Sequence, residues 1–270
     1  MPTMEYDGEL EELLQEISKN LKNIANIKNV IIYYWKSCMY AEKLLKYCFE
    51  DEEITLPIDI RKIAEKLDIH IEEVNINDFS NENVKRSNHK IAQLLVQNNF
   101  FTGGKEVIIY ADKYIPVSSK RYAIVNEMVQ YILHKDETKI YENYFVMPMC
   151  PVKIDELITD IFSIFLLIPM KNFVDEFCKY VDYRSAEQKI PISTEEWIKY
   201  LAERAGVSEY YVAYGYQYLR SCAYWIYQAW TGDSEITTEI KMSKKEMNEI
   251  RNWISEEEFL KLKELIYQNE

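Results

Sequence analysis

The sequence predicts an α+β fold that is mostly helical. In this fold a small sheet of about three strands packs against a central helix, and a helical C-terminal region follows. Three short segments with strand-like patterns lie close together in the first half of the chain. Apolar residues at helical spacing lie on both sides of these segments and continue towards the C-terminus. A small sheet followed by helices favours an α+β rather than a parallel α/β architecture.

The first fifth of the chain predicts a helical N-terminal extension over residues 1–52. Residues 9–27 carry leucine and isoleucine at three- and four-residue steps, which is typical of an amphipathic helix. We expect this helix to pack onto its own chain rather than to form a dimer. A second helix is predicted over residues 33–49, and the acidic run at 50–53 together with Pro57 marks a boundary.

Residues 53–185 predict a central domain that contains the sheet. Pro57 and Asp59 suit the start of a short helix. Strand patterns are found at residues 69–74, 91–97 and 106–111, and the pair Gly103–Gly104 predicts a hairpin turn between the last two. Further helices are predicted over residues 118–134, 154–167 and 171–182.

Residues 186–270 predict a helical C-terminal region, with helices at about 194–205, 208–229, 243–251 and 255–267. Residues 198–220 form a helix-turn-helix-like element around the turn at 206–208. A DNA-reading second helix usually begins with Arg, Lys, Asn or Gln, whereas this one begins with Glu209, Tyr210 and Tyr211. We therefore interpret the element as a packing or protein-binding unit and expect no nucleic-acid partner.

Charge, cysteine content and apolar runs indicate where the protein acts and which kind of partner it binds. The formal net charge of −13 opposes binding to phosphate backbones and to anionic lipids. The five cysteines are widely spaced without a CxxC motif, and the first 20 residues are acidic rather than signal-like. The apolar run at 161–170 is too short to span a bilayer. The sequence predicts a cytoplasmic protein with reduced thiols, no membrane association and a protein as its partner.

Residues 121–134, RYAIVNEMVQYILH, have the pattern of a zinc-peptidase helix that lacks its metal ligands. An HExxH helix grips zinc through two histidines one turn apart, and the intervening Glu acts as general base on the metal-bound water. Here the Glu is present as Glu127, but Asn126 and Gln130 occupy the two histidine positions. Carboxamides are neutral and poor zinc ligands compared with imidazole.

Four segments in order resemble motifs of the ImmA/IrrE family of metallopeptidases. They are LPIDIRKIAEKLDI at 56–69, RYAIVNEMVQYILH at 121–134, ELITDIFSIFLLIP at 156–169 and LAERAGVSEYYVAYGYQYL at 201–219. The resemblance covers roughly residues 56–220 and implies a zincin-like active-site helix packed on the sheet. It also implies a third metal ligand close to Glu156, and it places His134 where the family often carries a histidine outside the metal shell.

The missing histidines imply a degenerate domain with no zinc and no other cofactor, to which no catalytic residue is assigned. The sequence thus predicts a non-catalytic pseudopeptidase that binds or regulates another protein. Active relatives commonly cleave or regulate helix-turn-helix repressors, often encoded by mobile elements, so the resemblance implies a partner of that kind. The predicted binding residues are Asn126, Glu127, Gln130, His134, Glu156, Asp160 and Arg121.

Two alternatives stay open on sequence grounds. The first is a metal-dependent peptidase with a rearranged site built from Glu127, Glu156, Asp160 and His134. The second is a transcriptional regulator that binds DNA through the helix-turn-helix-like element. Acids in a largely apolar helix are costly unless they are partnered. We therefore expect Glu156 and Asp160 to be remnants of a metal shell or to pair with Arg121 or a lysine.

Overall fold

The computed structural model describes residues 8–23, 30–76, 90–98, 105–134, 141–144, 154–186, 193–231, 255–257 and 260–261. Its helices are α1 (Gly8–Asn23), α2 (Val30–Phe49), α3 (Ile60–Lys66), α4 (Val117–His134), α5 (Ile154–Leu167), α6 (Met170–Ala186), α7 (Thr194–Ala205) and α8 (Glu209–Thr231). Its strands are β1 (Ile69–Val74), β2 (Lys90–Asn98), β3 (Lys105–Asp112) and β4 (Tyr141–Tyr144). The predicted α+β, mostly helical class is confirmed.

The four strands form one mixed sheet in the order β1-β3-β2-β4. Strand β2 pairs antiparallel with β3 and β4, whereas β1 pairs parallel with β3. The three predicted strands are confirmed. The fourth strand was not predicted, because YENY shows neither apolar alternation nor a run of β-branched residues. The predicted turn at Gly103–Gly104 lies outside the described residues.

Helix α4 packs against β2 and β3 on one side and against α5 and α1 on others. The amphipathic face of α1 is buried in the common core through Leu10, Leu14, Ile17 and Leu21. The expectation that α1 packs onto its own chain is therefore confirmed. One continuous core includes buried residues from all three predicted segments, while the boundaries proposed after residues 52 and 185 stay predictions.

Local sequence explains where two of the helices begin and end. The Asp59 carboxylate caps α3 by accepting hydrogen bonds from the backbone N–H groups of Arg61, at 3.0 Å, and Lys62, at 3.4 Å. Helix α7 ends at Gly206, whose φ of 64° lies in the left-handed region that glycine adopts without a Cβ clash. The turn then leads directly into α8, so the predicted helix–turn–helix order is observed.

Helices α5 and α8 approach each other closely at Gly215. A Cβ placed on this glycine would lie 2.6 Å from Cδ1 of Ile164, which is closer than carbon atoms normally pack. The absence of a side chain at position 215 therefore lets the tyrosines of α8 reach α5. Within the described part of the chain, no single helix combines the length and hydropathy of a membrane span. The bent pair α5–α6 meets that test only jointly, by length and composition.

The far C-terminus is only partly described. The predicted helix at 243–251 lies outside the described residues, and of the one predicted at 255–267 the structure describes 255–257 and 260–261. Residues 256–257 and 260–261 are helical, in agreement with the prediction. Four cysteines, Cys38, Cys48, Cys178 and Cys222, are buried free thiols, whereas Cys150 lies outside the described residues.

Candidate functional site

The candidate site lies where α4, α5 and α8 meet. Asn126 and Glu127 occupy the middle of α4, and their side chains are only 4% and 1% exposed. Their neighbours along α4 are almost all buried as well, since this helix contacts the sheet, α1 and α5. Both polar residues are thus enclosed within the core, a position that costs free energy unless hydrogen bonds or nearby charges compensate.

The centre of the site is the carboxylate of Asp160 on α5. Its Oδ1 accepts hydrogen bonds from the Tyr122 hydroxyl at 2.8 Å and from Nδ2 of Asn126 at 3.0 Å. Its Oδ2 accepts a hydrogen bond from the Tyr214 hydroxyl at 3.1 Å. Two of these donors come from α4 and one from α8, so the carboxylate joins three helices. We call Asp160, Asn126, Tyr122 and Tyr214 the Asp160 cluster.

The charge of Asp160 is stabilised only partly. Burial raises its pKa, the hydrogen bonds from Tyr122, Tyr214 and Asn126 lower it, and the nearby carboxylate of Glu156 raises it; the net shift is upward. Burial and the negative charge of Asp160 also raise the pKa values of Tyr122 and Tyr214. Both hydroxyls therefore stay protonated at neutral pH and serve as donors to the carboxylate.

Aromatic rings from α8 surround the cluster. The rings of Tyr122 and Tyr211 stack with centroids 3.9 Å apart and planes 12° apart. Tyr210 packs edge to face on Tyr211 with centroids 5.3 Å apart, and its own side chain is 41% exposed. On the other side, Tyr218 packs edge to face on Tyr214. The cluster thus has an enclosed inner side and an outer side bordered by Tyr210 and the exposed Glu156.

Two buried hydroxyl groups lie on α2 at the inner side of the site. Tyr33 and Ser37 are one helical turn apart, and their hydroxyls lie near each other without meeting hydrogen-bond geometry among the described residues. Burial raises the pKa of Tyr33, and the charge of Asp160 adds to that effect. This region therefore holds two buried hydroxyl groups without a well-formed hydrogen bond among the described residues.

The structure brings together only part of the predicted set. Gln130 is half-buried one turn beyond Asn126, and His134 is half-buried at the end of α4. Glu156 is exposed one turn before Asp160 and acts on it through its charge. The site's direct contacts thus come from Asn126 and Asp160, and Glu127 follows Asn126 on α4 and is buried.

Arg121 does not pair with the acids of α5. Its Nη2 donates a hydrogen bond to the carbonyl of Ile58 at 2.5 Å. A Cβ on Gly206 would lie 3.4 Å from Arg121 Nε and 3.3 Å from Pro57 Cβ, so this arginine packs under the α7–α8 turn. Of the alternatives that the sequence left open for Asp160, pairing with Arg121 is not observed, because the arginine projects from α4 towards the start of α3.

Sequence reasoning missed the tyrosines that complete the site. Tyr122 precedes Asn126 by four residues, so helical spacing alone places both on one face of α4. That spacing was a usable signal. The contribution of Tyr214 depends on how closely α8 approaches α5, and nothing in the local sequence of either helix predicts that approach.

The donor set of this site does not fit the zinc ion that the resemblance associates with the fold. Zinc in proteins is held by His, Cys and carboxylate groups, whereas Asn126 supplies an amide here and Asp160 already accepts three hydrogen bonds. Within the described ranges, no group of three or more His, Cys, Asp or Glu side chains lies close enough together to hold one ion. We therefore derive no metal-dependent step for the chain.

Comparisons with known proteins add no relative. No family model, no curated protein and no solved structure matches the chain. The resemblance to the ImmA/IrrE family thus depends on the four sequence motifs, and it stays a prediction. Functional interpretation depends on the geometry of the site itself.

Proposed function

We propose that the chain is a non-catalytic pseudopeptidase of the ImmA/IrrE type that acts in the cytoplasm by binding or regulating another protein. The observation that carries this proposal is the Asp160 cluster. At the position where the motif resemblance expects a metal shell, Asn126 instead donates a hydrogen bond to Asp160, and Tyr122 and Tyr214 complete the shell of donors.

The burial of Glu127 supports the absence of catalysis. A general base must come within hydrogen-bond distance of the proton it removes, directly or through one water molecule. The Glu127 side chain is 1% exposed and lies among apolar residues of α4. A carboxylate enclosed in this way has little access to a peptide substrate, so we assign it a structural role in the site.

The outer side of the site supports recognition of a protein. Tyr210 is exposed, Tyr211 and Tyr214 are half-buried, and Glu156 lies at the border. Tyrosine is enriched in protein interfaces because it combines a large apolar area with a hydroxyl group. By resemblance, the partner is a helix-turn-helix repressor or another regulator of a mobile element.

Affinity capture with paired variants tests this proposal. The wild-type chain, Tyr210→Ala and Tyr114→Ala are used as baits in extract from the native cell, and any protein retained by the wild type is purified and titrated against all three. Tyr114 is a matched control because it is 71% exposed in the connection between β3 and α4. We expect Tyr210→Ala to weaken binding about tenfold or more, as for an aromatic hot spot, and Tyr114→Ala to leave it unchanged.

Two outcomes would contradict the proposal. Equal weakening by both variants would mean that the partner is not recognised specifically at the α8 side of the site. Cleavage of the captured protein by the purified wild-type chain would show that the chain is an enzyme.

A further inference from the structure

Asp160 carries a negative charge that no cation of the described chain neutralises. Its three hydrogen-bond donors are neutral, and the nearby charged group is Glu156, which has the same sign. Neither acid takes part in a salt bridge within the described residues. A partly buried carboxylate without a counter-ion is unfavourable for folding, and such groups are common at functional sites.

We propose that Asp160 is the receptor for an ammonium group, supplied by a lysine side chain of the protein partner. This inference rests on the proposed function, because it names the chemistry by which the partner is recognised. The tyrosines of α8 then contact the lysine stem, and Asp160 contacts its charged end.

The hydrogen bonds already made to Asp160 favour an ammonium over a guanidinium group. Each carboxylate oxygen has two lone pairs. Oδ1 already accepts two hydrogen bonds, from Tyr122 and Asn126, whereas Oδ2 accepts one, from Tyr214. One lone pair is left, on Oδ2. A lysine ammonium binds well through one acceptor, whereas the bidentate fork of an arginine uses one lone pair on each oxygen.

The surrounding rings suit a cation with an apolar stem. A lysine ammonium is attracted to the faces of tyrosine rings, and its four methylene groups pack on apolar surface. Tyr210 and Tyr211 border the cluster, and Tyr211 stacks on the ring of Tyr122, which holds Asp160. An incoming side chain therefore meets aromatic surface before it reaches the carboxylate.

A second, independent observation points to an occupant. The Tyr33 hydroxyl is buried at the inner side of the cluster and has no partner of good hydrogen-bond geometry within the described part of the chain. Burial raises its pKa, the nearby Ser37 hydroxyl lowers it and the charge of Asp160 raises it further. Buried polar atoms in native proteins are normally satisfied, by protein, by water or by a ligand. The net charge of −13 also favours approach of a basic partner.

Titration of the full chain with butylammonium chloride tests the proposal, using an NMR sample with labelled tyrosine rings. We expect a saturable shift of the Tyr211 and Tyr214 signals in the wild type. In Asp160→Asn the apparent affinity is expected to fall about tenfold or more, because a charge-assisted hydrogen bond is lost. Butylguanidinium is expected to bind about fivefold more weakly than butylammonium, because only one lone pair is available.

Surface variants keep the test valid if Asp160→Asn does not fold. Glu156→Gln removes an exposed charge near the site and is expected to weaken binding about twofold. Glu195→Gln removes an exposed charge at the start of α7 and is expected to change nothing. Equal effects of these two variants would show a non-specific attraction to an acidic surface and would overturn the proposal.

Other outcomes also decide the matter. Absence of a saturable shift in the wild type, or an equal shift in folded Asp160→Asn, overturns the ammonium site. Equal binding of butylguanidinium overturns the assignment to lysine. If butylammonium does not bind while Tyr210→Ala still abolishes partner capture, only the ammonium inference fails. If butylammonium binds as expected while no protein is retained by the wild type, the proposed function fails.

Discussion

Asp160 on α5 and Glu176 on α6 are both acids in largely buried helices, but their surroundings shift the pKa of the carboxyl group in opposite directions. Glu176 accepts two hydrogen bonds from Arg204, at 2.8 and 3.1 Å, one from Lys179 at 2.8 Å and one from Tyr200 at 3.0 Å. Burial alone would raise its pKa, but these hydrogen bonds together lower it to about 2. Asp160 has neutral donors only, and its pKa is raised.

The difference indicates different roles for the two carboxylates. The Glu176 carboxylate binds Arg204 on α7 and Lys179 on α6 itself, so its ionised form ties α6 to α7 through Arg204 and stabilises the fold. The three neutral donors of Asp160 offset the cost of its burial only in part, so its ionised form is less favourable for folding than its neutral form. Buried charges that lower stability are candidates for function, because activity and stability often compete.

The largest expected effect is that of Glu176→Gln. The substitution leaves Arg204 and Lys179 without their carboxylate partner, although both cations are well exposed to solvent. We therefore expect a loss of about 2 kcal/mol of unfolding free energy at pH 7, below the range for fully buried pairs. Urea denaturation measures it. A loss below about 0.5 kcal/mol would mean that the network contributes little.

The same contrast predicts opposite responses to acid. The folded-state pKa of Glu176 is below its ordinary value of 4.5, so its contribution is complete above pH 4.5 and is lost as the pH falls towards 2. The difference in stability between wild type and Glu176→Gln should therefore shrink over that interval. The folded-state pKa of Asp160 is above 3.8, so stability is gained as the pH falls through it.

Stability curves from pH 7 to pH 3 check both signs. They are measured for the wild type, Glu176→Gln and Asp160→Asn. Any advantage of Asp160→Asn over the wild type should disappear in acid, because Asp160 is then neutral in both folded and unfolded chains. An advantage that grows as the pH falls would reverse the sign assigned to Asp160.

A smaller effect is expected from Gly215→Ala, which perturbs the Asp160 side of the comparison alone. The new methyl group would meet the Ile164 side chain at 2.6 to 2.9 Å. The resulting strain should exceed the gain in helix propensity and leave a net loss of about 1 kcal/mol. The double variant Gly215→Ala/Ile164→Ala should lose less than the sum of the two single variants. Strict additivity would mean that the two residues are not in tight contact.

The smallest expected effect is that of Asp160→Asn at neutral pH. The amide keeps an acceptor for Tyr122 and Asn126 and removes the cost of burying a charge. We expect the unfolding free energy to stay unchanged or to rise by less than about 1 kcal/mol. Chemical denaturation at pH 7 measures it. A loss comparable to that of Glu176→Gln would make Asp160 a structural residue like Glu176.

The helices and three of the strands were predictable because they depend on local patterns. The N-cap at Asp59, the apolar run of α5 and the turn at Gly206 all carry their signals within a few residues. The short strand β4 has no such local signal. It is a strand because it pairs with β2, which is distant in the sequence.

The candidate site was predictable only in part. Asn126 was found because it replaces a histidine of a recognisable motif on one helix, and Glu127 because it keeps the glutamate of that motif. The direction of Arg121 and the contact from Tyr214 depend on packing between helices that are distant in sequence. Such contacts depend on how whole helices pack against each other, and local patterns in a single sequence do not predict that packing.

The central proposal is that the chain has kept the helix of a zinc peptidase without its metal site. Zinc titration by calorimetry, on the wild type and on Asn126→His/Gln130→His, tests it most directly. We predict no stoichiometric zinc uptake by the wild type and about one equivalent by the double variant, in which two histidines are again one turn apart. Stoichiometric zinc in the wild type, or none in a folded double variant, would contradict the account.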